Sequence, residues 1–146
     1  MGMGVEADSP LKVLGILCDH SAAKAAAVAG VEGLLYSPDI KLMHLVCAAD
    51  VDHLMVLNAL WAGVDGVFIA GCAPGGGYFR GCNFAAERRL ETLRDVLHAA
   101  GIPRDRVRGL WIAPTDGKVF ASFVNAFYDD IKKMKPWKPL GSRAAE

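Results

Sequence analysis

The stretch Gly66-Val-Phe-Ile-Ala-Gly-Cys72-Ala-Pro-Gly-Gly-Gly-Tyr-Phe-Arg-Gly-Cys82-Asn83 is an apolar run that breaks into a glycine-rich loop with a cysteine at each end. Residues 67–70 read as a buried strand. The residues after Asn83, through Phe84 and the Arg88-Arg89 pair to Leu90, read as the start of a helix. A strand that gives way to a glycine-rich loop and then a helix is where open α/β sheets bind ligands. Here the side chains at that place are thiols, which are soft donors suited to a metal rather than to a nucleotide.

Working outward, the same alternation recurs. Residues 12–18 form an apolar strand ending in Cys18, and the alanine-rich 22–29 that follows has strong helix propensity and stops at Gly30. The Asp19-His20-Ser21 segment offers N-cap chemistry. Residues 40–47 read as a second strand, ending in Cys47, and 51–62 as a helix with Asp50 as its cap and Leu54, Leu57, Leu60 and Trp61 at helical spacing. Residues 83–100 read as a helix with a stripe of Leu90, Leu93, Val96 and Leu97, ended by Gly101 and Pro103. Residues 107–113 are the fourth strand, and a last helix runs to about residue 134 with Val119, Phe120, Phe123, Val124, Phe127 and Ile131 facing the core. Four strands alternating with four helices imply right-handed crossovers, a four-stranded parallel sheet and a three-layer α/β (Rossmann-like) fold.

That topology puts every strand-to-helix connection at one edge of the sheet. Cys18, Cys47 and Cys72 each fall at a strand's C-terminal end, and Cys82 is on the loop that starts there. A cysteine at a strand end is as a rule a small buried hydrophobe. Delivery of thiols from three separate strands to one rim is what favours ligation. Four thiolates suit zinc or an iron–sulfur cluster. The absence of any Cys-x-x-Cys pair disfavours a structural zinc ribbon. The run Gly75, Gly76 and Gly77 would let backbone amides approach the sulfurs and raise a cluster's potential. The loop lacks the Gly-Lys-Ser/Thr ending of a phosphate loop and does not fit Gly-x-Gly-x-x-Gly. His20 and His53 read as surface residues, and His44 and His98 as structural ones. Trp61 reads as core, Trp111 as packed beside the last strand, and the charges of 87–94 as a solvated helix face.

Length and composition set outer bounds. A chain of 146 residues fits one domain and buries roughly 70% of its unfolded surface without staples. The plan expected is a lead-in over residues 1–10, a domain over 11–135 and a tail over 136–146, with Trp137 in a segment that could dock on a partner. Formal net charge is zero and no basic stripe occurs, which disfavours nucleic acid as a partner. No signal peptide or membrane-spanning run is visible, so the expected compartment is the cytoplasm, where four cysteines stay thiols or metal ligands.

At these residues the chain resembles the delta subunit of methyl-viologen-reducing hydrogenase, the hydrogenase iron–sulfur subunit family. The resemblance covers about residues 11–134. It rests on the strand ending in Cys18, on Tyr36-Ser-Pro38, on Val46-Cys47 followed by Val51-Asp52, and on Gly63-Val-Asp-Gly66-Val. It also rests on Gly71-Cys72-Ala-Pro74-Gly75, on Asn83 with Arg88-Arg89, and on Gly101-Ile102 before Arg106-Val107. The resemblance implies a flavodoxin-like fold and a small electron-transfer subunit with one 2Fe-2S cluster. It implies as partners a hydrogenase or formate dehydrogenase module and a flavin-containing, heterodisulfide-reductase-like subunit. The family pattern has cysteines where this chain has Ser21 and Gly77, His where it has Ala73, Asp where it has Gly76, and glycine where it has Cys82. The metal ligands expected are therefore Cys18, Cys47, Cys72 and Cys82, with Ser21 a further candidate oxygen ligand. Two alternatives stay open: a cluster-free docking subunit of such a complex, and a nucleotide- or flavin-binding flavodoxin-like domain that uses Gly75–Gly77.

Overall fold

A computed structural model describes residues 11–134, 137 and 138. The expected lead-in over 1–10 and the tail beyond 138 lie outside these residues. Four strands, β1 (Val13–Cys18), β2 (Ile40–Leu45), β3 (Gly66–Cys72) and β4 (Val107–Ile112), form one sheet in the order β2-β1-β3-β4. Every pairing is parallel. The connections carry α1 (Ala22–Val31), α2 (His53–Trp61) and α3 (Cys82–Ala99), and α4 (Gly117–Lys133) follows β4. Short 3-10 turns occupy Ala48–Asp50 and Arg104–Arg106. The chain moves one way from β1 to β2 and the other way through β3 to β4. Right-handed crossovers then put α1 and α2 on opposite faces, α3 on the face of α2. The last helix, α4, packs against α1. The fold is thus the expected three-layer α/β arrangement.

All seven residues of β3 are buried, as its place between β1 and β4 requires. On the α4 face Phe68 lies fully buried among Phe120, Phe123 and Phe127, its ring 5.6–6.4 Å from theirs. Room for that ring comes from Gly15 in β1: a Cβ there would stand 2.3 Å from Phe68 Cζ.

Several local expectations are corrected. The second strand ends at Leu45 rather than at residue 47, because its partner ends at Cys18 and Asp19 N–H takes the Leu45 carbonyl at 2.8 Å. Asp50 lies in the 3-10 turn, so Asp52 caps α2, accepting from Leu54 N–H at 3.3 Å. The buried stripe of α2 is Val56 and Leu60, one turn apart. Leu54, read at helical spacing, and Trp61, read as core, lie off that stripe and are 62% and 61% exposed. Val96 and Val119 are likewise exposed at the margins of α3 and α4. The Ser21 side chain makes no cap for α1. Its hydroxyl is buried and donates to the Ile112 carbonyl, which ties the start of α1 to the end of β4. Trp137 folds back on the body of the protein, its indole N–H donating to the Leu60 carbonyl at 2.8 Å.

Candidate metal centre

Each cysteine reaches the C-terminal rim of the sheet by a different route. Cys18 and Cys72 are the last residues of β1 and β3, adjacent strands whose connections leave in opposite directions. That makes the gap between them the topological switch point, where α/β sheets bind ligands. Their sulfurs stand 3.8 Å apart. Cys47 heads the turn after β2, where its sulfur accepts the Ala49 N–H at 3.4 Å. Cys82 opens α3, entered through Gly81 at a φ of 74°, a left-handed conformation natural to glycine. All four side chains are buried and none is in a disulfide.

Cys72 stands 3.8 Å from Cys18 by its sulfur, and Cys82 is near enough to both Cys72 and Cys47 to influence their thiols. The Cys82 sulfur lies 3.0 Å from the point a Cβ on Gly77 would occupy. Burial pushes the Cys47 thiol up, opposed by the Ala49 N–H and reinforced by Cys82 and Asp50. Burial also pushes the Cys72 thiol up, opposed by the Tyr78 N–H and reinforced by Cys18. Both are therefore neutral thiols at neutral pH, and a metal bound there would displace their protons. Among the described residues, no three His, Cys, Asp or Glu side chains close round one point as a ligand set for a single ion. The donors are instead two neighbouring pairs, Cys18 with Cys72 and Cys47 with Cys82.

Of the glycine run, only Gly77 lies beside a sulfur. Gly75 has a φ of 79°, Gly76 N–H is bonded to the Ala73 carbonyl at 2.9 Å, and Gly77 lies against Cys82. The amide bonded to sulfur is that of Ala49, on Cys47, and the Tyr78 amide lies near enough to Cys72 to oppose the rise of its thiol. Sequence reasoning missed both. The Ala49 contact had a signal, since a residue heading a helical turn accepts from the amide two residues on. The Tyr78 contact had none. His20 comes to the rim, its ring stacked on Tyr78 with centroids 3.7 Å apart. His53 does not join the thiols through any contact; its Nε2 lies 3.2 Å from the Arg89 carbonyl on α3. Arg89 in turn donates to the Ala49 carbonyl at 2.6 Å, fixing α3 to the Cys47 turn.

Comparison with known proteins bears on this rim. The family model for the methyl-viologen-reducing hydrogenase delta subunit matches residues 13–135. The chain belongs to this family. This delta-subunit chain is 35% identical over 125 residues to the vhc iron-sulfur subunit of the F420-non-reducing hydrogenase of Methanococcus voltae, covering 86% of the chain and 87% of that relative. It is 33% identical over 123 residues to the iron-sulfur subunit of the F420-non-reducing hydrogenase of Archaeoglobus profundus, covering 84% of the chain and 90% of that relative. It is 31% identical over 130 residues to a subunit of the Ferredoxin/F(420)H(2)-dependent CoB-CoM heterodisulfide reductase of Methanosarcina acetivorans, covering 89% of the chain but 16% of that relative. A delta-subunit sequence thus occurs both as a short chain and as one segment of a far longer one. These relatives are subunits of a hydrogenase and of a heterodisulfide reductase. Among the described residues, no helix is long and apolar enough to cross a membrane.

Proposed function

We propose that this delta subunit is an electron relay, holding a 2Fe-2S cluster on Cys18, Cys47, Cys72 and Cys82. The observation that carries the reading is the gathering of four buried free thiols at one rim of the sheet, with the Cys18 and Cys72 sulfurs 3.8 Å apart at its switch point. The donor set fits the group. Two sulfurs on one tetrahedral metal at about 2.3 Å stand roughly 3.8 Å apart, and Cys18 and Cys72 are at 3.8 Å. Two thiol pairs suit a centre with two metal atoms better than one ion. When bound, such a cluster supplies one-electron oxidation and reduction. The chain's own residues bury the thiols, keep water from them, and aim the Tyr78 and Ala49 amides at two sulfurs. Amide donors of that kind stabilise negative charge on sulfur and raise a reduction potential.

The partners in this reading are a hydrogenase or formate dehydrogenase module and a flavin-containing heterodisulfide-reductase-like subunit. The relatives that carry this sequence inside a much longer reductase chain support the second. The exposed rings of Tyr78, Phe79 and Phe84 border the thiol rim and are the surface we assign to it. The strand order supports a flavodoxin-like fold, being that fold's order without the fifth strand. Free thiols fit the cytoplasm. One observation favours the cluster-free docking reading, the absence of three donors round one point among the described residues. None favours the nucleotide or flavin reading, since the Gly76 and Tyr78 amides are turned inward on Ala73 and Cys72.

The test is iron and acid-labile sulfide content, with a visible spectrum, on anaerobically purified protein and on Cys82→Ser. About two irons per chain are expected in the parent, lost or spectrally altered in the variant. No iron after anaerobic reconstitution would overturn the relay and leave the docking reading.

A further inference from the structure

We infer that His20 is a positioning residue whose ring, stacked on Tyr78, clamps the glycine-rich loop shut over the Cys72 and Cys82 thiols. The loop between β3 and α3 has little else to hold it. Gly75 and Gly81 both sit at positive φ; the loop's backbone bonds are Gly76 N–H to the Ala73 carbonyl and Cys82 N–H to the Phe79 carbonyl, and only its first residue is tied to the sheet, Ala73 N–H donating to the Ile112 carbonyl at 3.2 Å. Glycines at such places give the open loop many conformations, so a closed form needs a specific contact to order it.

That contact comes from the neighbouring strand. His20 follows Cys18 by two residues and presents its ring flat on Tyr78, with centroids 3.7 Å apart and planes parallel. It meets Phe79 edge-on at 5.7 Å, and Tyr78 meets Phe79 edge-on at 5.0 Å. The three rings thereby join the loop after β1 to the loop after β3. Two consequences follow for the sulfurs. The Tyr78 amide lies near the Cys72 sulfur, so holding the Tyr78 ring holds the chain over that thiol. Gly77, one residue earlier, lies over the Cys82 sulfur. Cys47 is held differently, by its own turn and by Arg89, and lies outside the clamp. Tyr78 is 68% exposed, so its ring contributes little to the core.

An aromatic pair of this geometry shifts an opening equilibrium roughly two- to tenfold. Thiol modification tracks the open population when closing is fast. The inference concerns the loop and its thiols, and stands whether or not iron binds. The experiment alkylates the reduced, metal-free full chain with iodoacetamide and follows each cysteine by peptide mass spectrometry. In His20→Ala, Cys72 and Cys82 are expected to react about two- to tenfold faster than in the parent, with Cys47 unchanged. His20→Phe, which keeps a ring, is expected to restore the parental rates. Tyr78→Ala removes the same stack from the exposed side and must reproduce the His20→Ala pattern. Unchanged Cys72 and Cys82 rates in His20→Ala would overturn the clamp. So would equal acceleration of Cys47, or a His20→Phe as fast as His20→Ala.

Discussion

In a chain stripped of metal, sulfur atoms 3.8 Å apart are one short movement from a bond. A metal-free chain treated with diamide should therefore lose two protons and two electrons to the reagent and join Cys18 to Cys72. Peptide mapping without reductant should find that link first, and Cys72→Ser should abolish it. A first link between any other pair would mean that the rim reorganises without metal. At this scale the sequence was readable where chemistry follows from strand ends. Cys18 and Cys72 could be placed because each closes an apolar run, and their nearness follows from the sheet. Ser21 could not be understood that way. Its hydroxyl answers a carbonyl on β4, ninety-one residues later, and local pattern holds no trace of such a partner. The His20–Tyr78 stack escaped for the same reason, since it depends on the path of two loops.

Among elements, the packing of β1 on β3 makes a sharp demand. Gly15→Ala would drive a methyl group to 2.3 Å from Phe68 Cζ and 2.8 Å from Leu42 Cδ2. Phe68 is hemmed in by three other rings and cannot swing away, so overpacking should cost about 1–3 kcal/mol. A lower urea midpoint checks this, and an unchanged midpoint would show that the ring yields. Between β4 and α4, Arg108 donates to Asp130 at 2.7 Å and holds that carboxyl below the usual range. A depressed carboxylate stabilises the fold above about pH 4, and that contribution is lost as pH falls through the lower folded value. Asp130→Asn should therefore lose less stability than the parent on acidification, as read by urea midpoints at neutral and acid pH. Strands and helices were legible because their periods were clear; the faces of helices were less so. Leu54 and Trp61 fit a helical spacing as well as Val56 does, and only the position of α2 over the sheet decides which of them is covered.

For the molecule as a whole, closure at the C-terminal end matters. Trp137 is joined by its indole to Leu60 and by its backbone N–H to the Asp65 carboxylate at 3.4 Å. The same carboxylate accepts the Lys12 N–H at 3.0 Å. One residue from the expected tail thus meets the end of α2 and the approaches to β1 and β3. Trp137→Phe removes the indole bond and should lower stability by about 1 kcal/mol, seen as a fall of a few degrees in the thermal midpoint. No change would mean that the indole bond contributes nothing in water. The sheet and its rim could be derived from alternation alone, whereas this closure could not. An indole amid polar tail residues offers no period to read, and its partner is a backbone carbonyl that every residue possesses.

The contact between Gly77 and Cys82 also bears on how this rim can change over time. The loop offers one berth for a sulfur that can be reached from either of two positions in the chain. A side chain at 77 would intrude on the sulfur now supplied from 82, so a thiol can be relocated between the two but not readily doubled. Glycine at 77 and cysteine at 82 are therefore coupled, because any side chain at 77 asks the sulfur at 82 to give way.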